Sequence, residues 1–520
     1  MNVREISRVA ISLAGSSTLA AVLFMLLTGN AWIASAEADD LFVIPGGDGD
    51  CSQAAPCDLQ TALSGATDGS TVYLAEGTYT GSGGAVVTVT QSITLYGGWD
   101  GSSTTPPVRD SDLHVTTIDG ETARRGAYIV GPVTVTLEGL TIARGRAVST
   151  TARGWDGAGL YGSDAALTLR DTAFYSNVVD VHEVDDSDAY GGGAAIQGGS
   201  LLVEASVFRW NSAQAKSSSY GGGLSIENAR ATVKACLFQE NDTWHGSGLH
   251  FSGEHTTRTP LILSDSIFVD NGRGRSGGRG PGGYAGALKV QYAQARIEGN
   301  VFRRSRASND YGAVQIRSSD LYFARNLITG TQCGRTSGLY LSSVSPFTAT
   351  NNIIAANLSA YTSAQYPAVR VRGGSGRFIH NTVAQNDSAY GVRLESGATV
   401  TLTNTVLVSH TVGITVATGS TAALEGTLWG SGAWANDVDW EGDGDISTGT
   451  VDVWGNPVFV NPEGSDYHIG RGSAARDAGV NAGVIEDIDG DERPEGAGYD
   501  IGADEYTPRW DVFLPLVARD

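Results

Sequence analysis

Helical periodicity is nearly missing from this 520-residue chain, and that absence excludes helical repeats and bundles. Cysteine is scarce: four residues allow at most two disulfides, too few for a disulfide-built scaffold. Positive charge is in deficit, with 34 Lys and Arg against 56 Asp and Glu and a net charge of −22. That balance argues against nucleic acid or an anionic membrane surface as partner. The only lysines are Lys216, Lys234 and Lys289. After the first 36 residues no apolar run is long enough to cross a bilayer as a helix.

What is present is glycine, 70 residues of it, and a repeated phrase. Three copies in succession read YGGGAAIQGGSLLVEASVFRWN (190–211), YGGGLSIENARATVKACLFQEN (220–241) and HGSGLHFSGEHTTRTPLILSDSIFVDN (245–271). Each has a Gly cluster, a short alternating strand, a polar turn, a second strand, then an aromatic residue followed by Asn. The anchors Phe174, Phe208, Phe238, Phe268 and Phe302 are spaced 34, 30, 30 and 34 apart. Ile328, Ile354, Val383 and Leu407 continue the series at 26, 26, 29 and 24. A propeller blade of four strands needs roughly 40 residues or more. The period therefore predicts an all-β, single-stranded solenoid, one coil per repeat, with equivalent residues stacked at about 4.8 Å. Phe174 to Phe302 should form an internal ladder. Asn177, Asn211, Asn241, Asn271, Asn357 and Asn386 should stack at a turn, where Asn tolerates left-handed geometry and its amide can bond the next coil.

These coils resemble those of right-handed parallel β-helix proteins, the pectin-lyase-like superfamily. GDCSQAAPCDLQTALSGATDGSTVYLAEGTYT (49–80) and SITLYGGWDGS (92–102) resemble the opening segment of many secreted bacterial members. The resemblance covers most of residues 40–435 and speaks for fold more than activity, since the superfamily holds lyases, hydrolases, adhesins and non-catalytic proteins.

Residues 1–36 read as a secretory signal, with Arg4 and Arg8, an apolar run from Val9 to Leu27 and Ala34-Ser35-Ala36 before Glu37. The expectation is therefore a secreted or surface-exposed protein. Cys51 and Cys57, flanking a short loop, are expected to be bridged. Cys236 and Cys333 lie about three coils, roughly 14 Å, apart and are expected to be free, because a disulfide needs Cα atoms within about 7 Å. Asp58 to Ala66 predicts a short helix, N-capped by Asp58, covering the first coil. Coils run over 37–435, interrupted by an acidic insertion (178–190) and a basic, Gly-rich one (271–284), both expected to project on one side. Residues 436–506 lose the clear coil pattern and are expected to form the C-terminal end of the β-helix with an appended module. NPVFVNPEGSDYHIGRGSAARDAG (456–479), DIDGDERP (487–494) and YDIGADEY (499–506) resemble the choice-of-anchor Q module of bacterial surface β-helix proteins. An apolar tail, 507–520, follows.

Chemistry must lie in the outward letters of the strands. Aligned on the Gly clusters, one outward column reads Ala195, Ser225, His250, Lys289, Gln315, Tyr340, Arg370, Arg393. Two residues on, a second reads Gln197, Glu227, Ser252, Gln291, Arg317, Ser342, Arg372, Glu395. The plain reading is solvated strand residues. The functional reading takes His250, Lys289, Arg317, Tyr340, Arg370, Arg372 and Arg393 as a stripe binding an acidic glycan; in the resembled enzymes this sheet and its loops form the polysaccharide groove. Lyase chemistry would need a base beside a group that neutralises a uronate carboxylate. Lys289 or an arginine fits, but the acidic Asp180, Glu183, Asp185, Asp186 and Asp188, one Ca²⁺ source, lies roughly 20 Å from Lys289 by coil counting. No paired carboxylates of glycosidase type occur in the strands. Asp487, Asp489 and Asp491 have the spacing of a Ca²⁺ loop, but Glu492 and Gly498 stand where an EF-hand needs Gly and a bidentate acid. The sequence thus predicts a monomeric carbohydrate-binding or structural protein, with a uronate lyase and an adhesin as alternatives, no nucleic-acid partner, and Ca²⁺ as the one candidate cofactor.

Overall fold

The computed structural model describes residues 39–147, 156–181, 188–272, 286–307, 311–359, 366–387 and 389–507. The predicted signal, nearly all of the apolar tail, most of the basic insertion, and Glu183, Asp185 and Asp186 lie outside them.

Each coil gives one strand to each of three parallel sheets. The first sheet holds Leu224–Glu227, Leu249–Ser252, Leu288–Gln291 and Val314–Arg317. The second holds Arg230–Lys234 and Thr259–Ser264, and the third Leu237–Gln239 and Ile267–Val269. Alternation decides which residues go inside: in Leu224–Glu227, Leu224 and Ile226 are fully buried in the core that also takes Val233 and Phe238. Register aligns the predicted anchors, Phe174 with Phe208, Phe238, Phe268, Phe302 and then Ile328. The rings stack with centroids 4.7, 4.9, 4.6 and 4.9 Å apart, each contributing about 1.5–3 kcal/mol of burial.

The corners explain the Asn that follows each anchor. Asn241 Nδ2 donates to Phe208 O at 2.8 Å and to Asn271 Oδ1 at 3.1 Å, while its own Oδ1 accepts from Asn211 N and Nδ2 at 3.1 and 3.0 Å. Asn177, Asn211 and Asn271 belong to the same buried ladder, as Asn357 and Asn386 do further along. One detail of the expectation is corrected. The left-handed residue is not the Asn but its predecessor: Ser176, Trp210, Glu240 and Asp270 have φ of 54°, 60°, 53° and 58°. The predecessor makes the corner, which frees the Asn side chain to point inward. A second ladder, between the second and third sheets, escaped the sequence reading. It runs through Asn300, Asn326, Asn352 and Asn381. Upstream, Thr172 and Ser206 hold the equivalent corners with hydroxyls. The Gly clusters are needed where the chain re-enters the first sheet: Gly221 has φ +59°, and a Cβ on Gly222 would lie 2.6 Å from Asp242 O.

The helix α1, Leu59–Gly65, is capped by Asp58, whose carboxylate accepts from Gln60 N and Thr61 N. Leu59, Ala62 and Leu63 join the core of the first coils. Cys51 and Cys57 are bridged, and Cys236 and Cys333 are free and buried.

Two regions differ from expectation. The acidic insertion is partly a built wall: Val178–Val181 pairs with Ser212–Ala215, and Asp188–Tyr190 with Ser218–Tyr220. Val179, Val181, Ala189, Ala213 and Ala215 form a small core of their own there. The solenoid also continues past 435. Val438–Glu441 pairs in parallel with Val412–Val416, and Asp445–Ser447 and Asp452–Gly455 pair with Thr421–Gly430. The acidic, Gly-rich letters of this last coil hide its strand pattern. Residues 456–506 then turn back along the outer face of the third sheet, where Ile353, Ala384, Val406 and Leu428 pack against Phe459, Tyr467, Ile469 and Ile501. Tyr467 Oη donates to Gln385 Oε1 at 2.9 Å, Val480 N to Asn404 Oδ1 at 2.8 Å, and Ala503 N to Thr382 Oγ1 at 3.1 Å. Among the described residues no helix is long and apolar enough to cross a membrane.

Candidate functional site

Both outward columns exist in the predicted register. Ser225 pairs with His250, His250 with Lys289, Lys289 with Gln315, Gln315 with Tyr340, Tyr340 with Arg370 and Arg370 with Arg393. The first column, however, is not solvated. Ser225, His250, Lys289, Gln315 and Tyr340 are 1%, 1%, 5%, 1% and 2% exposed. The plain reading therefore fails for the middle of the sheet.

The lateral wall supplies part of the cover. Tyr190, Tyr220 and His245 stack beside the first sheet at 5.0 and 4.8 Å, continuing the coil spacing outside the solenoid. The Tyr220 ring lies 4.7 Å from that of His250, and the Lys289 ammonium sits 5.0 Å from the Tyr220 centroid, in cation–π contact. On the other side Tyr311 stacks on Tyr340 at 4.9 Å.

The polar groups beneath this cover are poorly satisfied by the protein. Ser225 Oγ lies 3.2 Å from His250 Nδ1, but His250 Nε2 and both amide atoms of Gln315 are buried without a hydrogen-bond partner. Buried polar groups are rarely left so. Among the described residues neither Lys289 nor Arg317 has a carboxylate within ion-pairing distance. Burial, with Arg317 nearby, pushes the Lys289 ammonium down to about 8. Burial and the Lys289 charge hold His250 well below the ordinary imidazole value and His245 at about 3, so both rings are neutral at pH 7. The result is a buried lysine among neutral polar groups, with the exposed Arg317 at its rim.

The far end of the predicted stripe behaves differently. Glu395, 9% exposed, accepts from Arg370 Nε at 2.9 Å and Nη2 at 2.5 Å, and from Arg393 Nε at 3.0 Å, with Arg372 Nε 3.9 Å away. Three guanidinium groups share one carboxylate, which leaves a local excess of positive charge. Arg370 also lies 5.6 Å from the Tyr340 ring. A shallow recess of about 290 Å³, lined by Leu202, Arg230, Pro260 and Ile262, lies on the second sheet, away from both columns.

The candidate Ca²⁺ residues do not converge. Asp487 is fully buried and spends its oxygens on the backbone N–H groups of Asp489, Asp491 and Glu505. Asp489 instead joins His468 and Asp504, with ligand atoms within 4.8 Å of one another. Pairing with Asp489 raises His468 to about 9, and burial raises Asp504 to about 7. This is an ion-paired knot. Nearby, Arg493 Nη1 meets Glu505 Oε2 at 2.7 Å with both side chains fully buried, and Asp477 Oδ1 accepts from Ala497 N and Gly498 N. These motif letters brace 456–506 from within, while its apolar side chains dock it on the third sheet. Asp180 and Asp188 lie in the lateral wall, on strands of its two paired arms.

Residues 279–428 match the family model of the right-handed β-helix region. With the coil-to-coil pairing, that decides the architecture. The fold is a right-handed parallel β-helix. Among solved structures the chain is similar to the pectate lyase Pel9A, at 14% identity and a TM-score of 0.39, over 91% of this chain and 97% of that one. It is similar to the periplasmic alginate epimerase AlgG at 12% and 0.39, over 78% and 83%. It is also similar to bacteriophage CBA120 tailspike protein 3 at 12% and 0.41, over 74% and 59%. No curated protein matches the sequence. The family match ends before 436–506.

Proposed function

We propose that this is a secreted or surface-exposed β-helix protein that binds an acidic polysaccharide along the outer face of its first sheet. One observation carries the reading: a buried column in which His250 Nε2 and both amide atoms of Gln315 have no hydrogen-bond partner in the protein, on either side of the buried Lys289. A buried ammonium without a counter-ion costs stability. Carboxylate and hydroxyl groups of a uronate chain would satisfy Lys289, the Gln315 amide and His250 Nε2 together. Arg317 and the excess charge around Glu395 extend the same preference along the sheet, at a coil spacing that matches a disaccharide over two coils. The reading gives Ca²⁺ no role and needs only one copy of the chain. Titration calorimetry with polygalacturonate, alginate and a neutral glucan tests it. The acidic polymers should bind and the glucan should not, and Lys289→Ala should weaken binding at least tenfold; equal binding of all three would overturn it.

A second reading is favoured by the lowered Lys289 pKa alone. A lysine near 8 has a usable neutral fraction at mildly alkaline pH and could remove the proton beside a uronate carboxylate that Arg317 neutralises. It requires unsaturated product to accumulate, at a rate rising through about pH 8 and lost in Lys289→Ala. Binding without such product leaves the first reading standing.

A further inference from the structure

The two ends of the solenoid are finished differently. At the first coil α1 lies over the core. At the last coil, residues 436–455, no described strand pairs with the outer edge of Val438–Glu441, Asp445–Ser447 or Asp452–Gly455. The segment that follows leaves along the third sheet instead of crossing the end. Positions that are interior in every other coil are consequently open. Trp440 is in register with Ile414 and Trp454 with Trp429, and the Trp440 ring tilts against that of Trp429 at 5.4 Å; Ile414 and Trp429 are fully buried, but Trp440 is 38% exposed and Trp454 55%. Trp454 Nε1 donates to Asp439 Oδ2 at 2.8 Å, so the indole leans across the end. The same coil carries Asp437, Asp439, Glu441, Asp443, Asp445 and Asp452, and no Lys or Arg occurs between 436 and 455.

From this juxtaposition we infer that the open coil docks an extended, lysine- or arginine-rich polypeptide segment. Its backbone would add to the free edge of Val438–Glu441 as the next parallel-sheet strand, its alternate apolar side chains would cover Trp440 and Trp454, and its cations would face the carboxylates. Charge selects this occupant. A second copy of the chain, meeting end to end, would oppose six carboxylates with six more. A sugar could stack on the indoles but would leave the backbone N–H and C=O groups of the edge unpaired.

The test uses the full chain and a twelve-residue peptide alternating Lys and Val, against Ser–Val and Glu–Val peptides of equal length, read by calorimetry and tryptophan fluorescence. The Lys–Val peptide should bind saturably at one site and perturb the indole emission, and raising NaCl to about 0.5 M should weaken it at least tenfold. Asp443→Asn with Asp445→Asn should also weaken it severalfold, with an unchanged thermal midpoint because both side chains sit at the rim. Trp454→Ala should reduce it further. Lys289→Met should leave it unaltered, which separates this site from the first-sheet column. Absence of binding, equal binding of the three peptides, or sedimentation as a dimer with shielded tryptophan would overturn the inference.

Discussion

The asparagine ladders and the first-sheet column are both buried polar columns, repeated at the same coil spacing, yet they are finished in opposite ways. In the ladder through Asn177, Asn211, Asn241 and Asn271, each amide donates to the backbone of one coil and, within the run, to the amide of the next. Such a column closes on itself and needs nothing from outside. In the column through His250, Lys289 and Gln315, neighbouring coils carry different residue types, and those polar atoms find no such chain of partners. Repetition of one residue lets a solenoid satisfy its own polar groups. A buried column that varies from coil to coil loses that solution, and its groups stay unsatisfied within the protein.

The sharpest way to break the comparison is to mutate the closed column. Asn241→Ala would strand Asn211 N, Asn211 Nδ2 and Phe208 O in the interior, and should cost about 3–5 kcal/mol in a denaturant titration; a loss below 1 kcal/mol would remove the ladder's structural role. In the open column the sign reverses. The Lys289 pKa is depressed in the folded protein, so the folded state disfavours its charged form. Its cost, on the order of 3 kcal/mol, is fully present below about pH 8 and fades as pH rises toward 10.5. Lys289→Met should therefore be more stable than the parent at pH 7, with the gap narrowing between pH 8 and 10.5, as read from paired unfolding curves. Gln315→Met removes two unpartnered amide atoms at similar volume and should leave stability unchanged or raise it by about 1–2 kcal/mol while weakening polyuronate binding. The smallest effect belongs to Arg372→Ala, at an exposed side chain 3.9 Å from Glu395: stability should move by less than about 0.5 kcal/mol, with a severalfold loss of affinity for acidic glycan.

The interior of the solenoid was legible in the sequence because it repeats. Phe174 to Phe302 and the Asn three places on announce the coil, its length and its register. The strand register of the outward columns followed from the same alignment, residue for residue. The second ladder did not show because its corners change type along the chain, from Thr172 and Ser206 to Asn300 and Asn352, so no single letter recurs. The burial of Lys289 was hidden for another reason. Strand alternation tells which face a residue takes, not what lies upon that face, and the cover comes from Tyr190, Tyr220 and His245, the letters that open successive repeats. The recurring aromatic before each Gly cluster, Tyr190, Tyr220 and His245, was the available signal. The course of 456–506 was equally hidden, since its motif residues hydrogen-bond mainly within the segment and its docking face on the third sheet is a run of ordinary apolar letters.

Lys289→Met, measured twice on the same preparation, bears most directly on the claim that this column is built for a ligand. If the column is built for a ligand, the variant has a higher thermal midpoint at pH 7 together with at least a tenfold loss of polygalacturonate or alginate affinity. A lower midpoint with affinity retained would show that Lys289 serves the fold, and would contradict it.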